Sequence, residues 1–292
     1  MSFHEKLFKM AGFNGCIGST DATHIGMLNC AAWAHIIHKG FKLNIPSRTY
    51  NMTVNHCHQI LGSTLGHPVT WNDKTLILFD ELVSNVNDGN IPNDDEFMLF
   101  EHDKDGNIVE VGYKGVWFIV DNAYLSWSCT VPPVKDGLTY TVIRFSEWLE
   151  SMRKDVEFTF GILKGRFTIL RYGLRFARIE QCDQLWLTCC ALHNMLLFED
   201  GLDKNWENGV ASDWERFDSE SSKNSVIPFA ISKLNRHFID KSVEVQPEEP
   251  SGDLDHNFNK YTVGNVSKMP LLLFQKCLVN HFDIRFKQNR SV

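Results

Sequence analysis

An α/β fold is predicted for this sequence, and three stretches predict it. Residues 116–120 (VWFIV) form a continuous apolar run that stops abruptly at Asp121 and Asn122. That is the pattern of a central strand covered on both faces, with a carboxylate at its C-terminal end. Residues 47–54 (SRTYNMTV) are rich in β-branched and aromatic side chains and read as another strand. Residues 153–167 (RKDVEFTFGILKGRF) read as a helix, because Met152, Val156, Phe160, Leu163 and Phe167 fall at the three-and-four spacing of one buried stripe.

The bulk numbers bound the rest. A chain of 292 residues holds one large domain or two modest ones. Its 43% apolar and 22% charged residues exclude a wholly disordered polypeptide. No apolar run approaches the roughly 18 residues of a membrane span, so no membrane partner is expected. The opening MSFHEKLFKMAGF lacks the apolar core and cleavage pattern of a secretory signal. Eight cysteines without a CxxC pair read as reduced, mostly buried thiols of an intracellular protein.

In chain order, residues 13–28 begin with turn-forming glycines and run into a strand that carries Asp21. His24 beside it reads as a structural group. Residues 56–63 (HCHQILGS) continue the 47–54 strand as a hairpin arm. On it His56 and His58 would share one face and could clip a metal, but no further ligand stands at a zinc-like spacing. A helix over 74–85 follows, with Asp73 as N-cap and Leu76, Ile77, Phe79 and Leu82 as its apolar face. Residues 86–112 read as loop and hairpin, with DKDGN a turn rather than a calcium loop. Pro132-Pro133 and Asp136-Gly137 break the chain before the helix of Glu157. A further helix spans 178–198, apolar at Leu185, Leu187, Cys190, Leu192, Leu196 and Leu197 and packed under the sheet. From Glu199 the chain turns acidic, and much of 200–262 is expected to be flexible. Residues 268–286 recover an amphipathic helix with Leu272, Phe274, Leu278, Phe282 and Phe286 on one side, expected to dock back on the domain.

Charge is distributed unevenly. The net charge of −7 argues against a protein that coats nucleic acid. Between Ser151 and Arg178, however, seven cations face two anions, a local balance of +5 around Glu157. On the helix, Gly161 lies one turn and Lys164 two turns beyond Glu157 along the same edge. A mid-helix glycine costs roughly 1 kcal/mol relative to alanine, and it leaves open space beside a carboxylate. Asp21, Asp121 and Glu157 thus come from a first strand, a later central strand and a following helix. Three such hard oxygen donors suit Mg²⁺ or Mn²⁺, which bind through few carboxylates plus water and substrate phosphate. Two ions about 3.5–4 Å apart can stabilise the attacking and leaving oxygens of an in-line phosphodiester displacement.

Five ordered motifs carry a family resemblance: GCIGSTDATHI, WNDKTL, FIVDNAY, RKDVEFTFGILKGRF and CCALHNML. Together they resemble the catalytic domain of PIF/Harbinger-type transposases of the DDE superfamily, the plant-transposon subgroup in particular, over roughly residues 12–200. The resemblance implies an RNase H-like fold, a mixed five-stranded sheet flanked by helices, and the composition adds an irregular acidic C-terminal region. It implies the catalytic and metal-binding triad Asp21, Asp121 and Glu157 with two Mg²⁺ or Mn²⁺ ions. It further implies a nuclear protein that cleaves DNA at the terminal inverted repeats of a transposon, transfers the freed 3′-OH, and works with a separate Myb-like partner protein. Lys164, Arg166 and Arg171 would hold DNA phosphates. A homo-oligomer is compatible with this reading.

The organisation expected is a short N-terminal remnant (1–11), the endonuclease domain (12–200), the acidic region (201–265) and a C-terminal helix (266–292). Three features depart from the family pattern. Phe158 and Thr159 follow the catalytic Glu where Arg and Ala are usual, and Leu125 follows Tyr124 where Pro is common. Only about a dozen residues precede the first motif, so the helical DNA-binding region usual before it is expected to be absent. A truncated or domesticated derivative that binds DNA or protein without catalysis therefore stands as the alternative.

Overall fold

A computed structural model describes residues 8–9, 11–40, 43–90, 96–135, 139–202 and 262–288. Most of the expected N-terminal remnant, and residues 203–261 of the expected flexible region, lie outside the described residues. The strands are β1 (Cys16–Gly26), β2 (Ser47–Val54), β3 (Ile60–Ser63), β4 (His67–Pro68), β5 (Glu96–His102), β6 (Ile108–Lys114), β7 (Trp117–Ile119), β8 (Thr130–Val131) and β9 (Thr262–Asn265). The α-helices are α1 (His35–His38), α2 (Asp73–Leu76), α3 (Glu81–Asp88), α4 (Tyr140–Arg166), α5 (Thr168–Tyr172), α6 (Ile179–Glu199) and α7 (Leu271–Gln288).

The main sheet is mixed, with five strands in the order β3-β2-β1-β7-β8 and the two-residue β4 added on β2. β1 is its centre. It pairs antiparallel with β2, Ser19 opposite Val54 and Gly26 opposite Ser47, and parallel with β7, Ser19 opposite Ile119. β8 continues the parallel side, Phe118 opposite Thr130. Every residue of β2 is buried, as is the whole apolar run from Val116 to Val120. A strand covered on both faces has no polar alternation to show, so the continuous run was the right sign of it.

Helix α4 begins well before the predicted stripe, at Tyr140, where the Thr139 hydroxyl accepts the Val142 N–H. Val156, Phe160 and Leu163 pack with Ile25, Tyr50 and Met52 of the sheet and with Trp186 of α6. Met152 and Leu149, a turn earlier, join a different cluster with Trp117, Ile119, Phe13 and, from α7, Phe274 and Phe282. The C-terminal helix therefore docks as expected and fills the core beside the central strands. The other face of the sheet is covered by Ile77, Val83 and Val86 with Phe118 and Val120.

Several elements differ from expectation. The 74–85 helix is two helices: α2 runs through a 3-10 turn to Asp80, whose extended backbone restarts the chain as α3. Asn72, not Asp73, caps the first, accepting the Thr75 N–H at 2.9 Å, and Asp80 caps the second, accepting the Val83 N–H at 3.1 Å. The break resets the helical phase, so Val83 and Val86 are buried while Phe79 is half exposed. Helix α6 buries Cys182, Trp186, Cys189, Cys190, His193 and Leu197, leaving the expected Leu187, Leu192 and Leu196 on the exposed side. It is apolar nearly all round, so composition did not single out its buried face. Residues 96–114 form a regular antiparallel hairpin, β5 with β6, and β9 adds a parallel third strand to it. The DKDGN run is its turn, as expected, with Asp103 accepting the backbone N–H groups of Asp105 and Asn107. None of the eight cysteines forms a disulfide, and seven are buried.

Candidate active site

The register of β1 and β7 positions the first two acids. Ser19 lies opposite Ile119, and two residues further along each chain are Asp21 and Asp121. Strand alternation carries Asp21 to the face of Ser19 and Ile119, the face covered by α4, and Asp121, two residues past the end of β7, is near enough for its charge to act on Asp21. Glu157 is on α4, one residue past Val156 of the buried stripe and half exposed. One guanidinium links strand and helix. Arg153 meets Asp21 Oδ2 at 3.1 Å and Glu157 Oε1 at 2.9 Å, and it grips Glu150 through two bonds of 2.7 and 3.1 Å.

The electrostatics report the same convergence. Burial pushes the Asp21 carboxyl up to about 6, against the lowering effects of the Ala22 N–H and of Arg153, and the charges of Asp121 and Glu157 push it further up. Asp121 is held at the end of β7 by a bond from the Ala123 N–H to its own carboxylate. Tyr124, three residues on, anchors that turn: its buried O–H donates to Asn51 Oδ1 at 2.7 Å, and the Asn51 amide donates to Asp80 Oδ2 at 2.6 Å. Burial, with Asp21, Asp73, Asp80 and Asp121 around it, holds the Tyr124 phenol far above its ordinary range, so it stays a neutral donor. Asp80, buried at the end of this chain, is likewise raised by desolvation.

The three expected phosphate-binding cations separate. Lys164 stays at the site, donating to Thr23 Oγ1 at 2.9 Å, two residues along β1 from Asp21, and burial lowers its pKa. Arg171 is exposed on α5. Arg166 turns the other way, its side chain only 5% exposed, towards His193 O at 3.5 Å and Asp200 at 3.8 Å on and beyond α6. Gly161 opens onto space: a Cβ built there meets nothing within 4 Å.

The expected His56–His58 strand face does not exist. These residues form a turn before β3, with His58 at a left-handed φ of 61°. Their rings go to α4, His56 Nδ1 to Asp155 Oδ2 at 2.6 Å and His58 Nδ1 to Thr159 Oγ1 at 2.9 Å. His193 of α6 completes the cluster, donating through Nε2 to His58 O at 2.9 Å. Among the described residues, no group of three or more His, Cys, Asp or Glu side chains is arranged to hold one metal ion. Sequence reading missed this cluster and the central place of Arg153. The signal for Arg153 was present, since it lies four residues before Glu157 and so above it on the helix.

Comparison with known families adds the last fact. The family model described as "Plant transposon protein" matches residues 3–204, well over half of the chain. The chain belongs to this family. Its members are transposon proteins, so a transposon-derived protein is at hand, and the match spans β1, β7 and α4 with all three acids. No curated protein and no solved structure matches the chain.

Proposed function

We propose that the chain is the catalytic domain of a PIF/Harbinger-type DDE transposase, a metal-dependent DNA endonuclease on an RNase H-like fold. The observation that carries this reading is the Arg153 guanidinium, which bonds Asp21 and Glu157 at once while the charge of Asp121 acts on Asp21. The link between Asp21 on β1 and Glu157 on α4, with Asp121 just past β7 acting on Asp21, supports a shared acidic site. A mixed sheet with five strands in a row and helices on its faces supports the RNase H-like assignment.

The donor set fits Mg²⁺ or Mn²⁺. Each such ion takes one or two carboxylates and leaves its other positions to water and phosphate, so no three acids need surround a single ion. Asp21 and Asp121 would hold one ion, and Glu157 with Asp21 the other. When bound, the ions supply charge stabilisation to the attacking and leaving oxygens of a phosphodiester displacement at the transposon ends. The protein's own part is positioning: Tyr124 and Ala123 fix Asp121, α4 fixes Glu157, Gly161 leaves room for a DNA backbone, and Lys164 and Arg171 contact phosphates. Nuclear location, binding to terminal inverted repeats, a Myb-like partner and self-association belong to the same proposal.

One observation favours a second reading, a domesticated derivative that binds DNA without cutting it. Phe158, directly after Glu157, is 41% exposed and offers an apolar ring where the family pattern has a cation. A nicking assay on supercoiled plasmid with Mn²⁺ decides between the two. The first reading requires nicking by the full chain and its loss in Asp121→Ala and Glu157→Gln; equal nicking by the variants, or none by the parent, overturns it.

A further inference from the structure

Arg153 has more anionic partners than one cation needs. Its Nε and one terminal nitrogen form a two-pronged pair with Glu150, while the same terminal nitrogen reaches Glu157 and the other reaches Asp21. The side chain is 11% exposed, and a guanidinium keeps its charge at every physiological pH. It therefore occupies, as a permanent cation, the gap between two acids proposed as metal ligands. Glu150 stands outside that pair, one turn earlier on α4 and 43% exposed. It alone offers Arg153 the parallel two-bond geometry that a guanidinium prefers.

Resting on the metal-dependent reading above, we propose that Arg153 is a resident counter-cation of the acidic site, which gives up Asp21 and Glu157 to incoming metal and retreats onto Glu150. Without metal, the guanidinium offsets the repulsion among the acids and keeps β1 and α4 in register. As metal arrives, two cations cannot share the same carboxylate oxygens, so affinity is set by the ease of the retreat. Glu150 lowers the cost of that step by keeping Arg153 paired throughout. Arg153 and Glu150 are thus positioning residues, and they act on metal affinity with opposite signs.

Simple long-range electrostatics would give the same signs, since one substitution removes a positive charge and the other a negative one. The distinction lies in coupling. If Glu150 acts through Arg153, its effect disappears once Arg153 is gone; if it acts through its own charge, the two effects add.

The test is a double-mutant cycle on the full chain, with Mn²⁺ alone titrated by isothermal calorimetry and bound Mn²⁺ counted by electron paramagnetic resonance. R153Q is expected to bind Mn²⁺ about tenfold more tightly, and E150Q about threefold more weakly, than the parent. The double variant should match R153Q within about twofold. R153Q should also melt below the parent without metal and gain more from saturating Mn²⁺. Should R153Q fail to fold, R153K takes its place in the cycle with the same signs required, because a lysine cannot bridge two carboxylates and keep a two-bond pair. Additive effects, or an Arg153 variant that binds Mn²⁺ no more tightly, overturn the proposal while leaving the metal site standing. Absence of any Mn²⁺ binding that Asp121→Ala removes would instead defeat the reading on which it rests.

Discussion

Asp21 and Asp121 each follow by two residues the Ser19–Ile119 pair that ends the parallel pairing of β1 with β7, and the charge of Asp121 acts on Asp21. Burial chiefly, with a smaller contribution from the charges of Asp121 and Glu157, lifts Asp21 to about 6. Asp121→Ala is therefore expected to leave thermal stability without metal unchanged or slightly raised. The gain should appear only above the raised Asp21 value of about 6, where Asp21 is ionised, and vanish in more acidic buffer, where Asp21 is protonated. Calorimetric melting across that range checks it. A loss above about 2 kcal/mol would make Asp121 a structural residue through its bond to Ala123.

Stability should fall on mild acidification for a separate reason. Burial lowers His58 and His193 to about 4 and His281 to about 3, and His281 Nδ1 accepts the Phe100 N–H, which requires it unprotonated. A base with a depressed folded pKa contributes stability above its unfolded value of about 6.5 and loses it as pH falls towards the folded one. Urea unfolding between these limits should show a steep decline. His281→Gln should flatten the profile by up to about 1.4 kcal/mol per pH unit.

DNA binding should divide the three basic side chains. Each phosphate contact contributes about −0.9 to the slope of log affinity against log salt. Neutralising Lys164 together with Arg171 is expected to reduce that slope by about 2, with little change in sequence preference. Arg166→Gln, whose side chain faces α6, should leave the slope alone and reduce stability instead. Fluorescence anisotropy with non-specific duplex at several salt concentrations separates the three.

Gly161 tests whether its open space is reserved. Alanine there touches nothing within 4 Å, so helix propensity alone should stabilise the chain by up to about 1 kcal/mol. A Gly161→Leu chain should fold equally well yet bind DNA more weakly, because its side chain stands where a phosphate backbone would approach Glu157. Unchanged affinity in that variant would free the glycine from any part in binding.

What the sequence made legible followed from strong local periodicity. The run 116–120 and the stripe from Met152 to Leu163 each carry a pattern that tertiary context had no reason to override, and both elements are where they were expected. Asp80 defeated the reading of 74–85, because a buried capping carboxylate and a solvated one look alike in sequence. The second sheet was legible as a hairpin with DKDGN as its turn, but not as a sheet, because β6 acquires its third strand from residues 262–265, about 150 positions away. Arg153 was counted among seven cations, when its angular position on the helix, above Glu157 and facing β1, was what mattered. Charge summed along a segment discards that angle.

The place of α7 in the core bears on how the protein is made. Phe282 stacks on Phe13 at 5.9 Å and Phe274 meets Trp117 at 6.2 Å, so one wall of the cluster behind the central strands comes from residues 271–288. A nascent chain that has left the ribosome only as far as α6 has its sheet but not that wall. Phe13, Trp117 and Phe145 then face water or a chaperone while some seventy further residues, from α6 to the start of α7, are translated. A polypeptide interrupted before α7 is therefore expected to expose an apolar surface prone to aggregation rather than to form a smaller working domain.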